Sequence, residues 1–151
     1  FNTPNKCCGF PVNCKSLMNP KEIVNQMFSN DSFSQWLDVQ IEEVIKGRCV
    51  VSLQVSNLMT NGFKIAHGGI AYSLADSCAA FVANSFGFIA ITKSSNIYYL
   101  KKVNKGDHLT AHCATTELDK KNLEVEITNQ HQELVANYSC TIHYTNEQWT
   151  S

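Results

Sequence analysis

The chain has 151 residues, 44% hydrophobic and 17% charged, with 12 Lys+Arg against 13 Asp+Glu and a formal net charge of −1. That length fits one domain burying about 70% of its unfolded surface, and the apolar fraction is too high for a disordered chain. The balanced charge excludes the broad electrostatic pull of a nucleic-acid-binding domain, and no run reaches the roughly 18 uninterrupted apolar residues of a membrane span.

Residues 1–19 hold two of the three prolines and three cysteines without periodicity, and they read as an N-terminal arm. The arm lacks the apolar centre of a signal peptide. With Phe at position 1, the numbered chain is read as starting inside a longer or processed one. From Pro20, the spacing of Ile23, Met27 and Phe28 predicts a helix with proline in its first turn. Asp31 offers an N-cap to a short second helix, SFSQWLD. Alternation predicts strands over 39–41 and 49–55, joined near Lys46-Gly47, and Asn61-Gly62 marks a loop over 58–64. From His67 to about Ser85, apolar residues recur at spacings of three and four while small residues fill the remainder, which predicts a buried helix stopped near Gly87. The period then returns to two, with strands expected over 89–100, 108–118, 123–129 and 134–144. Turns are expected at Lys105-Gly106-Asp107, at 119–122 and at 129–132. About six strands in hairpin order around one helix predict an α+β fold, an antiparallel sheet wrapped round that helix, with 20–151 as a single domain.

Seven cysteines stand at positions 7, 8, 14, 49, 78, 113 and 140. They contain no CxxC pair and no histidine at ligand spacing, so no metal site is expected. Cys49, Cys78, Cys113 and Cys140 fall in apolar or alternating segments, where cysteine behaves as a small buried hydrophobe. An odd, scattered set suits a reducing, cytoplasmic setting better than a disulfide framework.

The stretch NGFKIAHGGIAYSLADS, residues 61–77, carries the chemistry. Two glycines at a helix start lower helix propensity, so Gly68 and Gly69 need a reason. They either open the first-turn N–H groups to an anion or developing oxyanion, or they permit a tight loop-to-helix junction. Asp76 sits in the most apolar helix, where a carboxylate is costly unless paired or used. It is either hydrogen-bonded locally, for instance to Ser77, or a general base or nucleophile. Gly69 and Asp76 share a helix face but lie roughly 10 Å apart along the axis. If both act on one carbon, two copies of the helix must supply them, which points to a dimeric site.

The run Asn61-x5-His67-Gly68-Gly69-x6-Asp76, followed by Ser94-Ser95-Asn96-Ile97-Tyr98-Tyr99-Leu100-Lys101 and Gly106-Asp107, resembles the hotdog-fold acyl-CoA thioesterases. The nearest branch is the PaaI-like, phenylacetate-degradation type, and the likeness spans about residues 20–145. The resemblance implies metal-free, cofactor-free hydrolysis of a thioester to an acid and coenzyme A, itself part of the substrate. It assigns the Gly68 N–H to the thioester carbonyl and the role of nucleophile or base to Asp76 of a partner subunit. Asn61 would position the attacking group, His67 would shape the loop and orient the thioester, and Gly69 and Ser77 would flank the substrate. A hydroxyl after the helix sometimes assists, and Thr92 and Ser94 are the candidates. The same resemblance implies a homodimer with a continuous sheet, commonly paired into a homotetramer.

Where that family often has Arg-Pro after the strand, this chain has Lys101-Lys102, which either meet the phosphates of coenzyme A or form a solvated strand end. Tyr72 and Phe63 flank the motif and are the aromatic residues expected near substrate. His108, His112, His131 and His143 read as surface or edge residues. The competing functions are a non-catalytic acyl-CoA-binding or regulatory domain, for which a buried carboxylate has no use, and a dehydratase or hydratase, which the Asp spacing fits less well. No feature of the sequence speaks for a purely structural oligomerisation module.

Overall fold

The computed structural model describes residues 18–117 and 121–150. Cys7, Cys8, Cys14 and the first half of the turn expected at 119–122 lie outside the described residues. The chain forms helices α1 (Pro20–Ser29), α2 (Ser32–Trp36) and α3 (Gly68–Asn84). Its strands are β1 (Gln40–Ile45), β2 (Arg48–Gln54), β3 (Phe88–Tyr99), β4 (His108–Ala114), β5 (Asn122–Thr128) and β6 (Leu134–Gln148).

Local signals set the helix starts. Asn19 caps α1 by accepting from the Glu22 N–H at 3.0 Å, while Glu22 accepts from the Asn19 N–H at 2.8 Å, a capping box just before Pro20. Asp31 caps α2 as its position implied, accepting from the N–H groups of Phe33 and Ser34 at 3.1 and 2.9 Å. The first hairpin turns at Lys46-Gly47, with Gly47 at φ +76 and Ile45 paired to Arg48. A Cβ on Gly47 would lie 2.2 Å from the Thr115 carbonyl oxygen, so both conformation and space require glycine there.

The strands form one sheet in the order β1-β2-β4-β5-β6-β3, with every neighbouring pair antiparallel. Alternation places Leu123, Val125 and Ile127 of β5 against α3 and turns Glu124 and Glu126 outward. The helix buries Leu74, Ala75, Cys78, Ala79 and Val82 completely, so it fills the concave side of the sheet. Three strand ends differ from the sequence-based expectation by several residues, and β1 runs on to Ile45 where 41 was expected. β4 stops at Ala114, where the Thr115 N–H turns to the Gly47 carbonyl at 2.7 Å. β6 runs on to Gln148 because Trp149 anchors its end, donating from Nε1 to Asn84 Oδ1 at 2.8 Å.

Among the described residues β3 is an edge strand paired with β6 alone, and its register slips between Thr92 and Ser94. That bulge changes which residues face the helix: Ala90 and Thr92 point inward before it, Ser95 and Ile97 after it. Among the described residues, no helix is long and apolar enough to cross a membrane.

The fold therefore hangs on α3. Replacing the fully buried Leu74 by alanine is expected to cost about 2–5 kcal/mol, read from the midpoint of urea unfolding.

Candidate active site

At its N-terminus, α3 begins with a peptide unit held at both ends. His67 is the N-cap, and its Nδ1 accepts from the Gly69 N–H at 2.9 Å. An accepting Nδ1 carries no hydrogen, which places the imidazole hydrogen on Nε2. The carbonyl of Gly68, in the same peptide unit, accepts from the Tyr99 hydroxyl at 2.8 Å. Tyr99 also explains the first glycine, since a Cβ on Gly68 would come within 2.8 Å of that hydroxyl and 3.0 Å of the ring. A Cβ on Gly69 would lie 3.0 Å from His67 Nδ1. The Gly69 N–H is thus occupied. The Gly68 N–H has no acceptor among the described residues.

A cavity of about 380 Å³ opens beside this turn. Asn61, His67, Gly68 and Tyr99 meet there with the apolar side chains of Ala71, Val103 and Leu109 and with Lys101 and Lys102. Asn61 is set by its own loop: its N–H donates to the Ile65 carbonyl at 2.8 Å and its Oδ1 accepts from the Phe63 N–H at 2.9 Å. The Lys101 ammonium is 2.6 Å from Glu133 Oε1, so of the two lysines it is the one already paired.

Asp76 lies two turns further along α3, outside the residues that line this cavity. Its Oδ1 accepts from Thr92 Oγ1 of β3 at 3.0 Å and from the Tyr138 hydroxyl of β6 at 2.5 Å. Burial, then the bond to Asp76, raises the Tyr138 pKa far above that of an ordinary phenol, while a Ser95 hydrogen bond partly opposes the rise. Nearby on β6, burial and then the Asp76 charge push the Cys140 thiol up to about 11.

The residues singled out in the sequence thus fall into two groups. Asn61, His67, Gly68, Lys101 and Lys102 meet at the cavity, with Gly69 behind them. Asp76 and Thr92 meet at the second locus, and Tyr72 joins their surroundings through its edge-on ring contact with Tyr138, with centroids 5.4 Å apart. Three residues join neither group. The Ser77 hydroxyl is 3.0 Å from that of Ser34 and belongs to the packing of α2. Phe63 is 86% exposed. Ser94 points outward, because the bulge after Thr92 reverses the alternation. Sequence reasoning missed Tyr99 and Tyr138. The available signal was weak: Tyr138 falls on the inward set of an alternating strand, and a buried tyrosine needs a partner for its hydroxyl.

Comparisons with known proteins bear on the family and the fold. A family model described as the thioesterase superfamily matches residues 63–136. The acyl-coenzyme A thioesterase PaaI of Escherichia coli K12 is 35% identical over 112 residues, covering 73% of this chain and 80% of that protein. The solved structure of the E. coli PaaI protein, from the phenylacetic acid degradation operon, superposes with a TM-score of 0.80 at 30% identity, over 85% of this chain and 95% of that one. The smu.793 protein of Streptococcus mutans UA159, solved bound to acetyl CoA, gives a TM-score of 0.69 at 29% identity, over 74% and 91%. The hotdog architecture expected from the sequence is the one these structures share.

Two predictions follow from the clamps. Gly68→Ala is expected to destabilise the fold by about 1–3 kcal/mol through overpacking, and by less in a Tyr99→Ala background, as urea titrations of both pairs will read. The folded Cys140 thiol keeps its proton where an ordinary thiol, at 9.0, loses it. Its contribution to stability is whole below pH 9 and declines as pH rises through about 11. Thermal melts from pH 8 to 11 should therefore show a falling midpoint, and Cys140→Ala should flatten the fall.

Proposed function

The chain belongs to the thioesterase superfamily and is a thioester hydrolase, and we propose that it converts a small aryl- or medium-chain acyl-CoA to the free acid and coenzyme A. Coenzyme A enters as part of the substrate, and no separate cofactor takes part. The observation that carries the reading is the Gly68 N–H, left open at a helix N-terminus while the next N–H is taken by His67.

In this reading the Gly68 N–H donates to the thioester oxygen, and the helix dipole behind it stabilises the charge that develops there. The Asp76 carboxylate either attacks the carbonyl carbon or takes a proton from an attacking water. In the first case a mixed anhydride forms, coenzyme A leaves as its thiolate, and water then cleaves the anhydride. In the second, water adds directly and the same thiolate leaves. Asn61 positions the attacking group, and His67 offers its Nε2–H to the thioester. Thr92 assists by holding the carboxylate. The apolar cavity receives substrate, its modest volume favouring the small end of the acyl range, and phenylacetyl is the first choice from the branch resemblance. Lys102 and, if released by Glu133, Lys101 meet the phosphates of coenzyme A.

One subunit does not complete this site, because Asp76 lies outside the cavity that holds Gly68. A homodimer brings the partner subunit's Asp76 carboxylate to it. The open edge of β3 supports that assembly: among the described residues its backbone is unpaired on one side, and it leaves Ile91, Tyr98 and Tyr99 more than half exposed. Dimers pairing into tetramers, as the resemblance implies, complete the reading. The buried free thiols Cys49, Cys78 and Cys140 support a cytoplasmic location.

The test is hydrolysis of a panel of phenylacetyl, hydroxybenzoyl, short- and medium-chain acyl-CoA, followed by loss of thioester absorbance. Asp76→Asn is expected to lower kcat at least about a hundredfold, roughly 2.7 kcal/mol of barrier. Tight binding of one member without turnover by the unaltered protein would instead identify a non-catalytic acyl-CoA-binding domain.

A further inference from the structure

The hydroxyls around Asp76 treat its two oxygens differently. Oδ1 accepts from both Thr92 and Tyr138, whereas Oδ2 has no donor among the described residues. Tyr138 is 1% exposed and sits on the inward face of β6 between Ala136 and Cys140, opposite Ile97 of β3 and Val125 of β5. On that face a phenylalanine would pack as well and would bring no hydroxyl needing a partner. Burying a phenol without an acceptor costs about 1–3 kcal/mol, so the hydroxyl makes physical sense only with the carboxylate it reaches.

The phenol is itself held. Its ring meets Tyr72 edge to face at an interplanar angle of 77°, and the Tyr72 hydroxyl is 2.5 Å from Ser95 Oγ. Being buried and beside a carboxylate, the phenol stays protonated and so remains a donor. We propose that Tyr138 is a positioning residue for the hydrolysis: it fixes the Asp76 side chain by Oδ1 and so presents Oδ2 to the reacting carbon or its water. This rests on the thioesterase reading of Asp76. Tyr138 is too buried to touch substrate, so its effect passes through Asp76 and falls on kcat rather than on KM.

The test uses the full chain and phenylacetyl-CoA, with Tyr138→Phe and Asp76→Asn run beside the unaltered protein. Tyr138→Phe removes one oxygen and keeps the ring. It is expected to lower kcat about ten- to a hundredfold, the range for a hydrogen bond to a charged group, with KM within about twofold. Incorporating 3-fluorotyrosine at position 138 keeps shape and hydroxyl while making the hydroxyl a stronger donor. The stronger bond draws charge from Asp76 and weakens it as nucleophile or base, so kcat should again fall without moving KM, and this protein serves if the phenylalanine variant folds poorly. Unchanged kcat in either of these proteins, beside an inactive Asp76→Asn, overturns the positioning role alone. Full activity of Asp76→Asn overturns the reading of Asp76 and this inference together.

Discussion

Taking a carboxylate out of water costs several kcal/mol unless hydrogen bonds replace those of the solvent. α3 is the one element enclosed by the sheet, and its residues are apolar almost throughout, yet it carries Asp76. Two hydroxyls from the sheet make that possible, each a donor to a charged group and each worth about 1.5–3 kcal/mol. Asp76 is half-buried, so it gives up only part of its hydration, and the two bonds replace what Oδ1 loses.

That requirement shapes the sheet. Tyr138 reaches Asp76 from β6 and Thr92 reaches it from β3, so the register between these two strands has to bring both hydroxyls to one point. The bulge after Thr92 lets Thr92 face the helix and then turns Ser95 and Ile97 inward where Ser94 and Asn96 would otherwise point. Ser95 is thereby available to Tyr72, whose ring supports Tyr138. One extra residue in an edge strand thus connects the carboxylate to a chain of hydroxyls and aromatic rings.

The parts of this architecture that depend on local periodicity were legible in the sequence. The helix of residues 68–84, the hairpin at Lys46-Gly47 and the Asp31 cap follow from spacing and turn chemistry. Asp76 was legible as an incongruity, a charge in an apolar pattern. Tyr138 was not, because its partner lies 62 positions away and the pairing exists only after β6 finds its register. The same cause separates Thr92 from Ser94: a bulge has no signature in alternation that is already interrupted by serines. Ser77 was drawn to the site by its neighbour Asp76, but a helix turns about 100° per residue, and that rotation sends its hydroxyl to Ser34 instead. The glycines were seen to need a reason, and the reason in the fold includes the Tyr99 ring, a contact across 31 positions that no local window contains.

The two loci of α3 are also linked through β3. Thr92 holds Asp76, and Tyr99, at the far end of the same strand, holds the Gly68 carbonyl. Among the described residues β3 is bonded to β6 along one side and open along the other, and it is the strand that both clamps share. A second copy pairing with that open edge would order Thr92 and Tyr99 together. It would do so in the act of bringing another α3 close, and a site divided between two subunits needs that coincidence. In the proposed dimer, assembly and the setting of both groups would then depend on one strand, which would give a physical reason for an edge so long and so little protected.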